Sequence, residues 1–264
     1  MKAIPFFLLV WVSTLFSSPL FADVTVTSSL PSRTFLLYER IPLTVEVSND
    51  SGEPLTLTEE DLENQIVLRV RDTENRIIPR TKVPMLEEPW VIADGETSEK
   101  LFDLVQLFSI RTERSFRGLQ HVVVDGETYK GPTLTFNTTR GMLFDEIKRK
   151  REDRIFTMIG ITRGTGDELM LRVTNKDKSM TLATYFLERH LRFYPPHMKL
   201  GKDGSIGTLH YLSPQQAVLC LFEKDGTPIR REYYQVSPGV PIRLMVHPEE
   251  GFLVEGGTKV PGGS

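Results

Sequence analysis

Three of the chain's five histidines fall close together: His190, then His197 and His210 inside "PHMKLGKDGSIGTLHYL", residues 196–212. Imidazole is the commonest protein metal ligand and the usual general base near neutral pH. Asp203-Gly204 lies midway between His197 and His210, and Asp-Gly is a strong signal for a two-residue type I′ hairpin turn. With that turn, Lys202 opposes Ser205, Met198 opposes Leu209 and His197 opposes His210. Directly opposed residues sit about 5 Å apart at Cβ, so His197 and His210 are expected as a cross-strand pair. That pair is the candidate metal site, with His190 as third ligand. A stable site needs three or four ligands, and Lys199 would bring a positive charge beside this one. The alternative is a solvent-facing pair with Met198, Leu200, Leu209 and Tyr211 on the other, apolar face. "LMVHPEE" places Met245 two residues before His247; with His197-Met198 this is a thioether and imidazole pattern suited to copper. Methionine in strands equally serves as core filler.

Other chemistry is sparse. Cys220, the single cysteine, lies in the apolar run "AVLCLFEKDG", a setting for a packed thiol rather than a reactive thiolate. Neither GxSxG nor SxxK occurs. "RGTGDE" leads into a strand and reads as a turn rather than a phosphate loop. Glu59, Glu60, Glu87 and Glu88 are expected to be solvated, because the separation that makes a glycosidase pair is spatial. Trp90 and the tyrosines offer a binding face or ordinary strand packing; in "YYQV", Tyr233 and Tyr234 must point to opposite faces. No cofactor is expected.

The elements that would position these residues read as strands. In "IPLTVEVSN", Leu43, Val45 and Val47 alternate with Thr44, Glu46 and Ser48; "QIVLRVRD" and "TLTFN" do the same. Such period-two alternation buries one face. Asn49-Asp50-Ser51-Gly52, Asp94-Gly95 and Asp125-Gly126 mark turns. "TEEDLENQ" alone reads as briefly helical, with Thr58 as cap and Asp61 answering it. Seven or eight short strands predict an antiparallel sandwich over residues 23–139. The mixed-charge run "GMLFDEIKRKREDR" breaks the rhythm and reads as a linker or short helix over 140–154. Residues 155–255 then read as a hairpin-rich β-domain. "MKLGKDGSIG" (198–207) and "MVHPEEGFLV" (245–254) echo each other as strand, acidic-Gly turn, strand. The echo resembles a propeller blade period, but fewer than two copies exist, and a propeller needs at least about four blades. The Gly-rich end, 256–264, reads as a disordered tail. The expected class is therefore all-β, with two antiparallel β-domains.

The motifs "YERIPLTVEVSNDSGEPLTL", "VLRVRDTENRIIP" and "IADGETSEKLFDL" add a resemblance. Through Pro42, Leu43, Val45, Val47, Asn49, Gly52, Pro54, Leu55, Asp72 and Asp94-Gly95-Glu96, residues 36–105 resemble Ig-like modules of bacterial extracytoplasmic proteins. More loosely they resemble the Bacillus intracellular proteinase inhibitor family. The resemblance implies an Ig-like sandwich. It carries no reactive-site residue over to this chain.

The first 22 residues have the layout of a secretory signal: Lys2, an apolar stretch from Pro5 to Phe16, then Ser17-Ser18-Pro19 before Ala22. Cleavage is expected after Ala22, with no transmembrane segment in the mature chain. The formal net charge of −3 argues against a nucleic-acid partner, since such affinity rests on neutralising phosphates. The expectation is an exported, non-catalytic β-protein of the periplasm or cell surface, a binding, adhesion or structural module. Its partner would be a protein or polysaccharide of the cell envelope. Two alternatives stand beside it: an inhibitor or accessory domain of envelope-polymer processing, and a weak metal-binding protein.

Overall fold

The computed structural model describes residues 23–149, 153–164 and 166–261. The expected signal segment, the middle of the charge run and the last three residues lie outside them. The fold is nearly all β. The first half contains β1 (Asp23–Ser29), β2 (Thr34–Leu36), β3 (Pro42–Asp50), β4 (Leu55–Leu57), β5 (Gln65–Asp72), β6 (Trp90–Ile92) and β7 (Glu96–Asp103). One turn of helix, α1 (Leu104–Leu107), precedes β8 (Ser115–Val124), β9 (Glu127–Lys130) and β10 (Leu134–Thr139). The three-residue strands β2, β4 and β6 are what the alternation count missed, being too short to show a period.

One sheet has the order β1-β3-β7; the other runs β2-β10-β8-β5, with β9 pairing β8 and β2 joining β10 in parallel. Leu43, Val45 and Val47 of β3 face Ile66, Leu68 and Val70 of β5, Phe116 and Phe136 across one continuous apolar core. The Asp125-Gly126 turn is type I′ in form, both residues having positive φ. Asn49 is fully buried: its Nδ2 donates to the carbonyls of Glu53 (2.8 Å) and Ile92 (3.1 Å), and its Oδ1 accepts from Ser51. It pins two turns together. "TEEDLENQ" is not helical. Thr58 Oγ1 does accept from the Asp61 amide (3.0 Å), but the segment instead bridges back, with the Ile66 amide donating to the Thr58 carbonyl. The cap forms and no helix follows, because pairing into the sheet claims the next backbone groups.

The second half begins earlier than expected. The described part of the charge run is neither linker nor helix: Met142–Arg149 forms β11, paired antiparallel with β12 (Arg154–Arg163). Its half-buried Phe144 and Ile147 pack against the core, which period-two reading overlooks beneath the charges. β13 (Gly166–Asn175) and β14 (Thr181–Arg189) complete a four-stranded sheet, order β11-β12-β13-β14. Next come β15 (His197–Leu200), β16 (Ile206–Ser213), β17 (Gln216–Phe222), β18 (Pro228–Val236), β19 (Arg243–His247), β20 (Gly251–Glu255) and β21 (Gly257–Lys259). A second sheet runs β15-β16-β17-β18-β21, and β19-β20 forms a separate hairpin. The expected disordered tail therefore contributes a strand: β21 pairs β18, with Tyr234 opposite Lys259.

Phe156, Met158, Leu169 and Leu171 of the four-stranded sheet pack on Met198, Ile206, Val218 and Cys220 of the five-stranded one. The outer face of the latter, Leu209, Tyr211, Leu219 and Leu221, is covered by Ile242, Leu244 and Phe252 of the hairpin segment. Both echoed motifs are hairpins, β15-β16 and β19-β20. The two halves meet where Leu36 of β2 is buried against Ile159, Ile161 and Met170.

Candidate functional site

A large concavity lies between the halves, with a cavity volume of about 920 Å³. One wall is the segment from Pro31 to Pro42; the other is the outer face of the four-stranded sheet. Strand alternation sends Ala183, Tyr185 and Leu187 of β14 inward and leaves Leu182, Thr184 and Phe186 facing the cleft. Phe186 and Tyr38 are 46% and 45% exposed, a large aromatic surface for a site that also holds charge. Tyr38 has φ 67, a left-handed backbone that non-glycine residues seldom adopt and that functional loops often retain.

Arg163 anchors the cleft. Its guanidinium pairs with Glu39 and with Glu168 (3.0 Å), its Nε donates to the Thr34 carbonyl (3.0 Å), and it lies over the Phe35 ring at 5.7 Å. Nearby, Arg172 donates to the Leu37 carbonyl (2.5 Å); burial lowers its pKa, with Glu39 opposing that shift. Two buried polar atoms here have no hydrogen-bond partner: Thr184 Oγ1 and Arg172 Nε. Arg33, at the exposed rim, has no ion-pair partner among the described residues. The cleft thus combines a fixed cation, exposed rings, hydroxyls and an uncommitted guanidinium.

The histidines are arranged differently from the expected pair. His197 opposes Leu209, and Met198 opposes Thr208, one residue out of the predicted register. The cause is the loop. A two-residue I′ turn needs positive φ at both central residues, but only Gly204 has it (φ 91). Asp203 Oδ1 instead accepts from the Ser205 amide (3.0 Å) and hydroxyl (2.6 Å), and the Gly201 amide donates to the Ser205 carbonyl (2.8 Å). The Arg149 guanidinium packs where a Cβ on Gly204 would sit and donates to the Gly204 carbonyl. The loop therefore runs from Gly201 to Ser205, an odd length, and odd loops swap the face of one strand. His197 falls on the Leu209 and Tyr211 side; His210 points into the core between the sheets. The cross-strand pair His197–His210 does not form. Nor does a joint thioether-imidazole surface: Met198 is buried, Met245 is exposed, and His247 Nδ1 accepts the Glu249 and Glu250 amides of its own turn.

His210 meets His190 instead. The two ring centroids are 6.2 Å apart, and Phe144 lies edge-on to His190 at 5.1 Å. His190 follows β14 directly, and its amide donates to the Asp167 carbonyl (2.8 Å), which fixes its place beside β13. His190 is 5% exposed and His210 1%, and none of their four ring nitrogens has a hydrogen-bond partner. Burial pushes His210 down to about 3, with His190 and Arg231 adding to the shift. Burial also lowers His190, against the pull of Asp167. His197 is lowered by burial first, then by Lys199 and Arg243. Among the described residues, no group of three or more His, Cys, Asp or Glu is placed to hold a metal ion.

The remaining candidates are structural in placement. Cys220 is buried, and burial raises its thiol to about 11. Glu59 accepts from Arg80 (3.1 Å) and the Leu86 amide (2.6 Å), while Glu60, Glu87 and Glu88 are exposed. Trp90 is buried and donates to Ser98 (3.0 Å). Tyr233 and Tyr234 do pack on opposite faces of β18. Sequence reasoning missed Asp167, which Arg192 clamps through two hydrogen bonds (2.8 and 2.9 Å) and Thr162 through one (2.5 Å). It also missed Glu188, with φ 112, which accepts from Tyr233 (2.7 Å) and Arg231 (3.1 Å). Neither carries a motif; only the packing of β13, β14 and β18 assembles them.

Fold and cleft together define an all-β protein with two differently built β-layered halves and a polar-aromatic concavity between them. No protein-family model matches the chain, and no curated protein matches it. No helix among the described residues is long and apolar enough to cross a membrane.

Proposed function

We propose that this is an exported, non-catalytic binding module of the periplasm or cell surface, and that its partner occupies the cleft between the halves. The observation that carries this reading is the cleft itself: about 920 Å³, with exposed Tyr38 and Phe186 beside the fixed cation Arg163. A partner of mixed polarity, an envelope protein segment or polysaccharide, matches that lining, because rings supply contact area while hydroxyls and guanidinium groups fix orientation. The cleft's two carboxylates, Glu39 and Glu168, both accept from Arg163. That commitment favours binding over acid–base work. The signal-like first 22 residues and the Ig-like resemblance of residues 36–105 support export and a recognition role.

The test is capture from envelope fractions on immobilised protein, alongside Phe186→Ala and Tyr38→Ala. Recovery of one partner by the unaltered protein, and its loss with either variant, is the expected result. Equal capture by all three places the partner elsewhere and overturns the reading. Export is checked by the N-terminal sequence of protein from fractionated cells, which should begin at Asp23.

A further inference from the structure

The core of the second half holds something the cleft does not explain. A buried neutral imidazole carries one donor and one acceptor, and leaving such groups unmet costs free energy. Most buried polar groups are satisfied. Here two imidazoles stand side by side with all four nitrogens unmet. One of them, His190, also lines a cavity of about 300 Å³ together with Met142, Phe144 and Asp167. Met142 is half exposed at its mouth, so the cavity connects His190, and through it the neighbouring His210, with the surface.

We propose that His190 and His210 bind a single soft monovalent d10 cation, cuprous copper or its silver analogue, admitted through the Met142–Phe144 cavity. The spacing fits. Two imidazole nitrogens in line across a shared ion, each about 2.0 Å from it with its ring centre about 1 Å behind, put the centroids about 6 Å apart. The two rings lie 6.2 Å apart. No competing hydrogen bond holds any of the four nitrogens, so either ring can present one to the ion without breaking a contact.

The donor set decides the class of ion. Zinc and other divalent ions take four or more ligands. The carboxylate that lines the same cavity, Asp167, is already engaged by Arg192 and Thr162. Two imidazoles with a thioether lining the approach suit an ion that accepts two or three soft ligands. Asp167 attracts the ion's charge from the His190 side, while Arg231 repels it from the His210 side. Ligand bonds rather than net field must therefore hold it, which again selects a soft ion. The strand register also explains why His197 is no part of the site: it sits on the other face of β15-β16.

The experiment is anaerobic titration of the full chain with Ag⁺, and with Cu⁺ against a cuprous chelator. Stoichiometry is read by native mass spectrometry and ring nitrogen shifts by NMR. One ion per chain should bind, moving the ring signals of His190 and His210 together and leaving those of His197 in place. His190→Gln and His210→Leu should each weaken binding by at least about a hundredfold, more than the 10–100-fold typical of outer-shell losses. His197→Ala should bind as the unaltered protein does. Circular dichroism establishes that each variant is folded, and the NMR shifts on unaltered protein need no variant at all. Absence of binding, movement of His197 signals instead, or equally tight binding of Zn²⁺ would overturn the proposal.

Discussion

The cores of the two halves are built to different rules. In the first half, twenty-three apolar side chains form one buried cluster, with Phe116 and Phe136 stacked at 5.4 Å. Its buried charge, Asp72, is fully engaged: Arg76 and Arg114 both donate to Oδ2 (2.8 Å each), and the Glu74 and Arg76 amides to Oδ1. In the second half, polar groups enter the core unpaired. Nine buried side-chain polar atoms among the described residues lack a hydrogen-bond partner, and only Gln120 Oε1 belongs to the first half. A core satisfied at all but one buried side-chain polar atom is explained by stability alone. A core that keeps orphan imidazoles gives up stability, and such concessions gather where a protein has something to bind.

Four measurements sharpen or break that contrast. The largest effect is expected from Phe136→Ala: removing a fully buried ring from the satisfied core should cost about 3–5 kcal/mol in urea unfolding. A loss below about 1 kcal/mol would mean that the first core is loosely packed and the contrast is false.

The next concerns pH in the metal-free protein. His210 has its folded pKa lowered to about 3 from the ordinary histidine value of 6.5. The unfolded chain therefore binds the extra proton between those values, and stability is lost as pH falls through that window. Between pH 7 and pH 5 the loss should be about 2 kcal/mol, measured by unfolding at each pH. His210→Leu should remove that part of the slope; an unchanged slope would assign it to other groups.

At pH 7, His210→Leu should itself raise stability by about 1–2 kcal/mol, because it replaces two unmet nitrogens with an apolar group among Met198, Ile206 and Val218. Destabilisation would mean that His210 is satisfied in solution. The smallest effect is His197→Ala, expected at about 0.5–1 kcal/mol, since His197 is half-buried on the outer face. A larger cost would show that the outer face, with Tyr211 and Ile242, depends on His197.

The second half also shows how a small loop decides a large question. Asp203-Gly204 signals a turn correctly, and the apolar pattern of β16 is plain. What no local pattern contains is that Asp203 folds back on Ser205 while Arg149, from another strand, fills the space beside Gly204. A one-residue change of register turns His210 from solvent into the core. It parts from His197 and joins His190. Similarly, the charges of β11 mask Phe144 and Ile147, whose burial depends on a sheet assembled from later sequence. In the first half, by contrast, Leu43, Val45, Val47, Ile66, Leu68 and Val70 alternate cleanly and are buried as that alternation requires.

By itself, then, the sequence determined the β class, the strands with clean alternation, the opposed faces of Tyr233 and Tyr234, and the packed setting of Cys220. These follow from period-two geometry and local turn chemistry, which act over a few residues. Tertiary structure alone decided the His190–His210 pairing, the Arg163 clamp on Glu39 and Glu168, and the cleft between Tyr38 and Phe186. Each brings together residues from separate strands, and the free energy that fixes them comes from sheet packing and long-range contacts rather than from local preference.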